Sequence, residues 1–344
     1  MKAVVLVGGE GTRLRPLTET VPKPLLPLMN RPFLHRVLDH LGEHGVHEVV
    51  LSSSYLESTF RTFLLERHGD PTVTWITEAE PLGTGGAIVN ALPHLDDTFL
   101  VLNGDILTDL DLSAMVAFHR DHGAAATISL ARVDDARPYG LVATRDSRVL
   151  EFREKPAEPV PGDINAGTYV LDRESLAGWE PGRMISIERE IFPGLIESGA
   201  PVYGFLSDAY WMDLGTPEKY LQAHFDILEG KLLGLRYPSP YRDDTADVDL
   251  QAHLGRWVVL GEGVTVGPNA EVDDSVLHAG VTVGPGARVL GSVLGHDVVV
   301  GARATVTGSV LAEGARVDDD AEIADARVSA GRVAGRERLT ERPL

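Results

Sequence analysis

The chain of 344 residues contains no cysteine, which excludes disulfides, thiolate metal sites and a cysteine nucleophile. It also lacks any apolar run near the ~18 residues that a membrane-spanning helix requires. Met1 leads straight into strand-like sequence, with no basic segment followed by a long apolar one, so the expected location is cytoplasmic, with no membrane partner. Lysine is scarce. It occurs at positions 2, 23, 155, 219 and 231 only, against 26 arginines among 31 basic residues. The net charge of −20 argues against nucleic acid or an anionic membrane surface as partner, because long-range repulsion opposes their approach. A small anion can bind such a chain only where cations are concentrated.

One concentration stands near the start, in "VGGEGTRLRPLTETVPKPLLPL" (7–28). Gly8, Gly9 and Gly11 can turn successive N–H groups toward an anion. Arg13, Arg15 and Lys23 bring positive charge to the same loop, and the prolines at 16, 22, 24 and 27 restrict it. The familiar phosphate loops do not fit: G-x-x-x-x-G-K-[ST] needs a Lys that is absent, and Leu14 stands where G-x-G-x-x-G needs its last Gly. The stretch reads as a stiff cradle for a polyanion.

Residues 1 to about 230 alternate strand-like and helix-like patterns. Strands are expected at Lys2–Val7, 46–52, 72–77 and 98–105. Helices are expected after Pro32, over "STFRTFLLERHG" and over "TGGAIVNALPHL". This alternation implies an α/β domain with a mainly parallel sheet and helices on both faces. Ligands in such sheets bind beyond the carboxyl ends of strands, where Gly8–Arg13 and Asn103–Asp105 fall. After residue 230 the texture changes to a 17-residue repeat. Val266, Val283, Val300 and Val317 align, as do Val272, Val289, Val306 and Ile323, and Ala270, Ala287, Ala304 and Ala321. A short apolar residue every six, with small residues between, is the pattern of a parallel β-helix. Expected boundaries are 1–232 for the first domain, 233–255 for a linker, 256–330 for the β-helix and 331–344 for a tail. Four coils are near the minimum for a stable stack, so the β-helix is expected to pack on the first domain or on a second subunit.

Asp105 ends "LNGD" and Asp213 lies in "WMDLGTP", each at a strand end. Such residues most often serve turns or caps, and two together can hold one Mg²⁺. The bare spacing leaves both readings open.

The motifs "GGEGTRLRPLTETVPKP", "EPLGTGGA", "NGD", "EFREKP", "INAGTYVL", "SIEREIFP" and "WMDLGTP" resemble, in order, those of the sugar-phosphate nucleotidyltransferases. The resemblance spans essentially the whole chain. It implies a Rossmann-like nucleotidyltransferase domain with a mixed, mainly parallel sheet, followed by a short left-handed parallel β-helix, and a Mg²⁺-dependent reaction of a nucleoside triphosphate with a sugar 1-phosphate. The "INAG" and "SIEREIFP" forms are similar to those of the branch that transfers a guanylyl group from GTP to mannose 1-phosphate. By the same resemblance Leu6, Gly8, Gly9, Gly11, Thr12, Gly83, Thr84, Asn103 and Gly104 would line the nucleotide site, while Arg13 and Lys23 would face phosphate. Gly140, Glu154, Lys155, Asn165, Gly167 and Glu188 would hold the sugar phosphate, and Asp105 and Asp213 the metal.

Glu78 bears on the base. A carboxylate only accepts hydrogen bonds, which suits the adjacent N1–H and N2–H₂ donors of guanine, whereas an amide there would suit uracil or thymine. Relatives for uridylyl or thymidylyl transfer, or for a heptose phosphate, are the alternatives, as is a non-catalytic regulatory subunit. His278 and His296 lie in the β-helix, where an acyltransferase would use a histidine base; loop packing is the expectation. Self-association through the β-helix is expected.

Overall fold

A computed structural model describes residues 1–53, 57–67 and 69–335, without the side chains of Glu57 and Glu66. The chain divides into two compact units, one formed by Met1–Gly9 with Leu34–Met212 and the other by Glu10–Phe33 with Asp213–Leu344. The loop read as a polyanion cradle is therefore split: its first glycines belong to one unit, and Glu10 onward to the unit that contains the repeats.

In the first unit the strands are β1 (Lys2–Leu6), β2 (Glu48–Ser53), β3 (Thr72–Thr77), β4 (Thr98–Asn103), β5 (Ala126–Val133), β6 (Gly140–Arg145), β7 (Arg148–Glu154), β8 (Gly162–Asp172) and β9 (Val202–Leu206). They form one sheet in the order β3-β2-β1-β4-β8-β5-β9-β7-β6. The helices are α1 (Phe33–Glu43), α2 (Glu57–Glu66), α3 (Gly83–Ala91), α4 (Leu112–Asp121) and α5 (Phe192–Glu197). Helix α1 forms because Leu34, Val37, Leu38 and Leu41 recur at helical spacing, and all four are buried. Helix α4 starts where the Asp111 carboxylate accepts the N–H of Ala114 at 2.9 Å.

The four strands at one side, β3 to β4, are parallel and joined by helices, as the alternating pattern implies. That alternation stops after α4. Residues 126–172 run through β5, β6, β7 and β8 with no helix between them, and β8 pairs antiparallel with both β4 and β5. The sheet is therefore mixed. Helix α2 ends at Glu66, short of the expected reading, and His68 lies outside the described residues.

Among the described residues the second unit carries three parallel sheets of six, six and five short strands, consistent with a left-handed β-helix. Its register is the one obtained by counting. Val266, Val283, Val300 and Val317 sit in line, and so do Val272, Val289, Val306 and Ile323. Their side chains form a continuous buried core.

The stack also begins earlier than the repeat. Strands at Tyr241–Arg242, Asp247–Val248 and His253–Leu254, inside the stretch read as linker, pair with Val259–Leu260, Thr265–Val266 and Glu271–Val272. Here partners are 18 residues apart, as Val248 and Val266 show, while later coils advance by 17. A count at 17 therefore cannot detect the first coil. At its other end Val333–Ala334 still pairs with Arg316–Val317. Of the expected tail, residues 336–344 lie outside the described residues.

The lost residue has one address. Inward positions advance from Leu260 to Val266 to Val272 by six, then to Leu277 by five, and each later coil repeats this. At the shortened corner stand the buried residues Ser275, Ser292 and Ser309. Each hydroxyl donates to the carbonyl two residues earlier, at 2.6–2.8 Å. It also accepts the N–H one coil later, from Ser292, Ser309 and Ala326, at 3.0–3.1 Å. The serine oxygens thus complete the backbone hydrogen bonding of a corner too tight to do so alone.

Candidate active site

Within the first unit, the carboxyl ends of the parallel strands are in register. Leu6 of β1 pairs with Ser52 of β2 and with Asn103 of β4, and Ser53 pairs with Thr77 of β3. Gly8, Gly9, Ser52, Glu78, Asn103 and Gly104 all follow from this alignment. Gly104 donates its N–H to the Leu6 carbonyl at 2.9 Å. The Asn103 Oδ1 is buried and accepts no hydrogen bond from a described residue, an acceptor left for a ligand donor or water.

Glu78 is buried rather than solvent-facing. One oxygen accepts the Ser52 hydroxyl at 2.7 Å and the other the Leu82 N–H at 3.0 Å. These bonds fix its orientation and leave further lone pairs on both oxygens. Ser52 carried no recognisable signal in the sequence.

Gly83 has φ +70°, and a Cβ there would lie 2.7 Å from the Ile185 carbonyl oxygen, so only glycine fits. The Ile185 oxygen takes the N–H groups of Gly85 and Gly86 at 2.8 and 3.1 Å. The glycines of "GTGGA" thus let helix α3 meet the 183–187 segment backbone to backbone. Thr84 donates its hydroxyl to Glu188 at 2.7 Å and accepts the Ile187 N–H at 3.0 Å. Glu188, in the π-helical turn Ile187–Ile191, also accepts the Ser186 hydroxyl at 2.8 Å.

The sugar-side residues cluster through an irregularity in β8. Asn165 pairs with Leu130 but Tyr169 with Ile128, so two extra residues bulge out between them. The Asn165 side chain donates to the Tyr169 hydroxyl at 2.9 Å and accepts the Gly167 N–H at 3.0 Å. Trp211 donates its indole N–H to the Ala166 carbonyl at 2.8 Å, tethering the bulge. Burial pushes the Tyr169 phenol well above its usual range, and the charges of Glu188, Glu154 and Asp105 add to this against the Asn165 hydrogen bond. Three of the expected site carboxylates are therefore gathered around one buried phenol. Burial, and then the neighbouring Glu188, also raises the Glu154 carboxyl. Its Oε2 lies 3.0 Å from where a Cβ of Gly140 would be. Lys155, largely exposed, lies 3.8 Å from Glu154.

The second unit holds the other expected residues. Gly11 has φ +59°, and a Cβ there would lie 3.1 Å from Thr18 and 3.3 Å from Lys23. Glycine thus lets the start of the loop close on Lys23, while the Thr18 hydroxyl donates to the Gly11 carbonyl at 2.8 Å. Thr12, Arg13 and Leu14 form one 3₁₀ turn, and Lys23 opens another between Pro22 and Pro24. Arg15 turns to Glu10 at 3.0 Å. A Cβ at Gly215 would lie 2.5 Å from Asp213 Oδ1 and 2.9 Å from Arg13 Nη2. Gly215 therefore keeps clear the point at which the Arg13 guanidinium and the Asp213 carboxylate converge.

Asp213 is buried, accepts the Gly215 N–H at 3.1 Å and is paired with the Lys219 ammonium. A buried carboxylate already holding a cation fits a metal ligand in chemical character. Lys219, like Gly215, was not singled out from the sequence, although both stand in or beside "WMDLGTP". Asp105 belongs to the other unit, just beyond β4. Among the described residues no group of three or more His, Asp or Glu is placed to hold a metal, so a metal here needs substrate or water oxygens besides carboxylates.

Of the histidines, His278 is buried, shares a 2.9 Å hydrogen bond with the Tyr220 hydroxyl and has its pKa well lowered by burial. It packs against α6 (Pro217–Leu228), a helix, where packing in a loop was expected.

Residues 2–230 match the nucleotidyl transferase family model. The chain belongs to the nucleotidyl transferase family. Residues 237–336 of this nucleotidyltransferase match a second model, the GMPPB C-terminal domain. It is 40% identical to the mannose-1-phosphate guanylyltransferase of Mycobacterium tuberculosis over 288 residues, 80% of this chain and 79% of that one. It is 37% identical to mannose-1-phosphate guanylyltransferase 1 of Arabidopsis thaliana over 287 residues, again 80% and 79%. Among solved structures it is similar to HddC from Yersinia pseudotuberculosis, at 33% identity and TM-score 0.58, covering 64% of this chain and 97% of that one. HddC has also been solved in complex with GMP-PN. Enzymes of this family generally use a divalent metal. No helix among the described residues of the nucleotidyltransferase is long and apolar enough to cross a membrane.

Proposed function

We propose that this nucleotidyltransferase transfers the guanylyl group of GTP to mannose 1-phosphate, releasing GDP-mannose and pyrophosphate. The observation that carries the reading is the 35–40% identity, over about 80% of both chains, to bacterial and plant proteins named for that activity. The buried Glu78 carboxylate adds support for guanine. Its free lone pairs accept hydrogen bonds, which matches the two adjacent donors on that base.

The chemistry asks little of a nucleophile. The sugar-phosphate oxygen is anionic near neutral pH and attacks the α-phosphorus. As that P–O bond forms, the bond to the β-phosphate oxygen breaks and pyrophosphate leaves with the electron pair. Catalysis is then a matter of position and charge. Arg13 and Lys23 neutralise the triphosphate, and the glycine-rich backbone from Gly8 to Gly11 approaches it. Lys155 binds the sugar phosphate, Glu154 and Glu188 accept from sugar hydroxyls, and Asn165 and Gly167 shape the pocket through the β8 bulge. We assign Mg²⁺ to Asp105 and Asp213, where it would offset phosphate charge. The β-helix is assigned to self-association and the enzyme to the cytoplasm.

Pyrophosphate release, measured across four nucleoside triphosphates and several sugar 1-phosphates, tests the reading. GTP with mannose 1-phosphate is the expected preferred pair. A preference for UTP or dTTP overturns the role given to Glu78. Replacing Lys23 or Arg13 by Ala is expected to lower kcat by about 10²–10³, the usual effect of removing one preorganised charge stabiliser. Light scattering should return a mass above that of one chain; a monomer mass overturns the self-association.

A further inference from the structure

The loop that carries Arg13 is anchored on the β-helix, within the second unit. Leu14, Leu17 and Leu26 of the loop form a buried cluster with Tyr220 of α6 and with Val293 and Val310, which point outward from two stacked β-helix strands. This apolar contact fixes the loop's middle. Its start is fixed by one side chain: the Arg327 Nη1 donates to the carbonyl of Arg13 at 3.2 Å and to that of Arg15 at 2.8 Å. Nearby, Ser329 donates to Glu19 at 3.0 Å, and Thr20 donates to Glu313 at 3.2 Å.

Two carbonyls that bracket Leu14 thus share one guanidinium from a later coil. Charged donors make stronger hydrogen bonds than neutral ones, and a planar guanidinium restricts the direction of its acceptors. The backbone of Arg13 is held from behind, while its side chain extends to the point near Gly215 that it shares with Asp213.

We infer that Arg327 is a positioning residue for nucleotidyl transfer: from the β-helix it sets the backbone from which Arg13 reaches phosphate. The inference rests on the proposed function for its kinetic consequence, but the docking itself does not. The β-helix is then part of the machinery that aims the phosphate-binding loop, in addition to any role in assembly. A preorganised site loses rate steeply when such a group shifts by about an ångström, by up to 10²-fold.

The test compares Arg327→Met, Arg327→Lys and the wild-type chain, with Arg303→Met as control because Arg303 pairs with Asp320 on a different corner of the stack. Steady-state kinetics are run against varied GTP and varied sugar phosphate, with hydrogen exchange of amides 12–20 read in parallel. Arg327→Met is expected to lower kcat/KM for GTP by about 10–100-fold while the KM for sugar phosphate stays within about twofold, since Lys155 and Glu154 are untouched. Arg327→Lys, which keeps a charged donor, should recover part of the loss, and Arg303→Met should behave as wild type. Faster exchange over residues 12–20 should accompany the loss in Arg327→Met. Should that variant fail to fold, Glu19→Gln, which weakens the neighbouring anchor, is expected to give a smaller effect of the same kind. Wild-type kinetics with unchanged exchange overturn the inference. So does faster exchange without kinetic change, or an equal rise in both KM values with a lowered Tm. If the wild-type chain turns over no pair of substrates, the proposed function fails and with it the kinetic role, and the exchange result separately reports whether Arg327 docks the loop.

Discussion

The β-helix and the open sheet solve opposite problems. In the β-helix one arrangement is repeated, so that Val283 does for its coil what Val266 and Val300 do for theirs. In the sheet unit the residues of interest stand where regularity fails: at the bulge between Asn165 and Tyr169, in the π-helical turn that carries Glu188, and at Gly83, pressed against Ile185. A repeat disperses its energy over equivalent contacts, each tolerant of its neighbours. A site concentrates constraint on a few atoms that have no equivalents. The same substitution therefore means different things in the two regions.

The contrast can be broken most forcefully in the stack. Ile323→Ala removes a buried side chain and is expected to cost about 2–5 kcal/mol, read as a lower midpoint in urea, with little change in the KM for either substrate. An equal loss of substrate affinity would show that the stack is not a separate ledger of stability. Next comes Gly83→Ala. The added methyl meets the Ile185 carbonyl and the residue cannot easily hold φ +70°, so Thr84 and Glu188 shift together. A fall in kcat/KM of about 10²-fold is expected, with a smaller change in stability than in Ile323→Ala.

Ser292→Ala sharpens the comparison inside the repeat. It leaves the Ser309 N–H buried without its acceptor, at a cost of about 1–3 kcal/mol. Ala326 occupies the equivalent position at the end of the ladder and receives no such demand from a described residue.

The smallest effect is a slope. Burial, and then the charge of His44, lowers the pKa of His40 to about 4 from its usual 6.5. The unfolded chain binds this proton below pH 6.5 and the folded one only near pH 4, so stability contributed here is present above pH 6.5 and is lost as pH falls toward 4. His40→Leu should make urea midpoints less steep over that window. An unchanged slope would place the acid sensitivity elsewhere, for example at His119, which burial also lowers.

How much of this was legible follows from the same contrast. The strand at Thr72–Thr77 and the alignment of Val266 with Val283 were readable because periodicity is a property of the text itself. The first coil was not, because its partners lie 18 residues apart rather than 17. The mixed character of the sheet was implied by the resemblance, but the antiparallel run from Ala126 to Asp172 could not be located, since strand patterns carry no mark of the direction of their partners. At the site, the motifs point to Glu188 and Asn165 but not to their supports. Ser52 matters through a contact made across 26 residues, which no local pattern announces, while Tyr169 and Lys219 lie in or beside the motifs of their partners, 4 and 6 residues away, with nothing in the text to mark them as supports. The burial of Glu78 was not legible either, since a carboxylate in the text carries no mark of its exposure.

The serine corner has a consequence for how this molecule can change. Because each hydroxyl is addressed to the amide one coil ahead, a residue inserted or deleted at this corner would break the rungs on either side of it, whereas the 18-residue first coil accommodates its extra residue at a corner where no serine stands. Across the serine-bearing coils, growth or shrinkage is tolerable only in complete turns. The length of this domain is thus quantised, and over its regular part relatives that differ in size should differ by multiples of a rung.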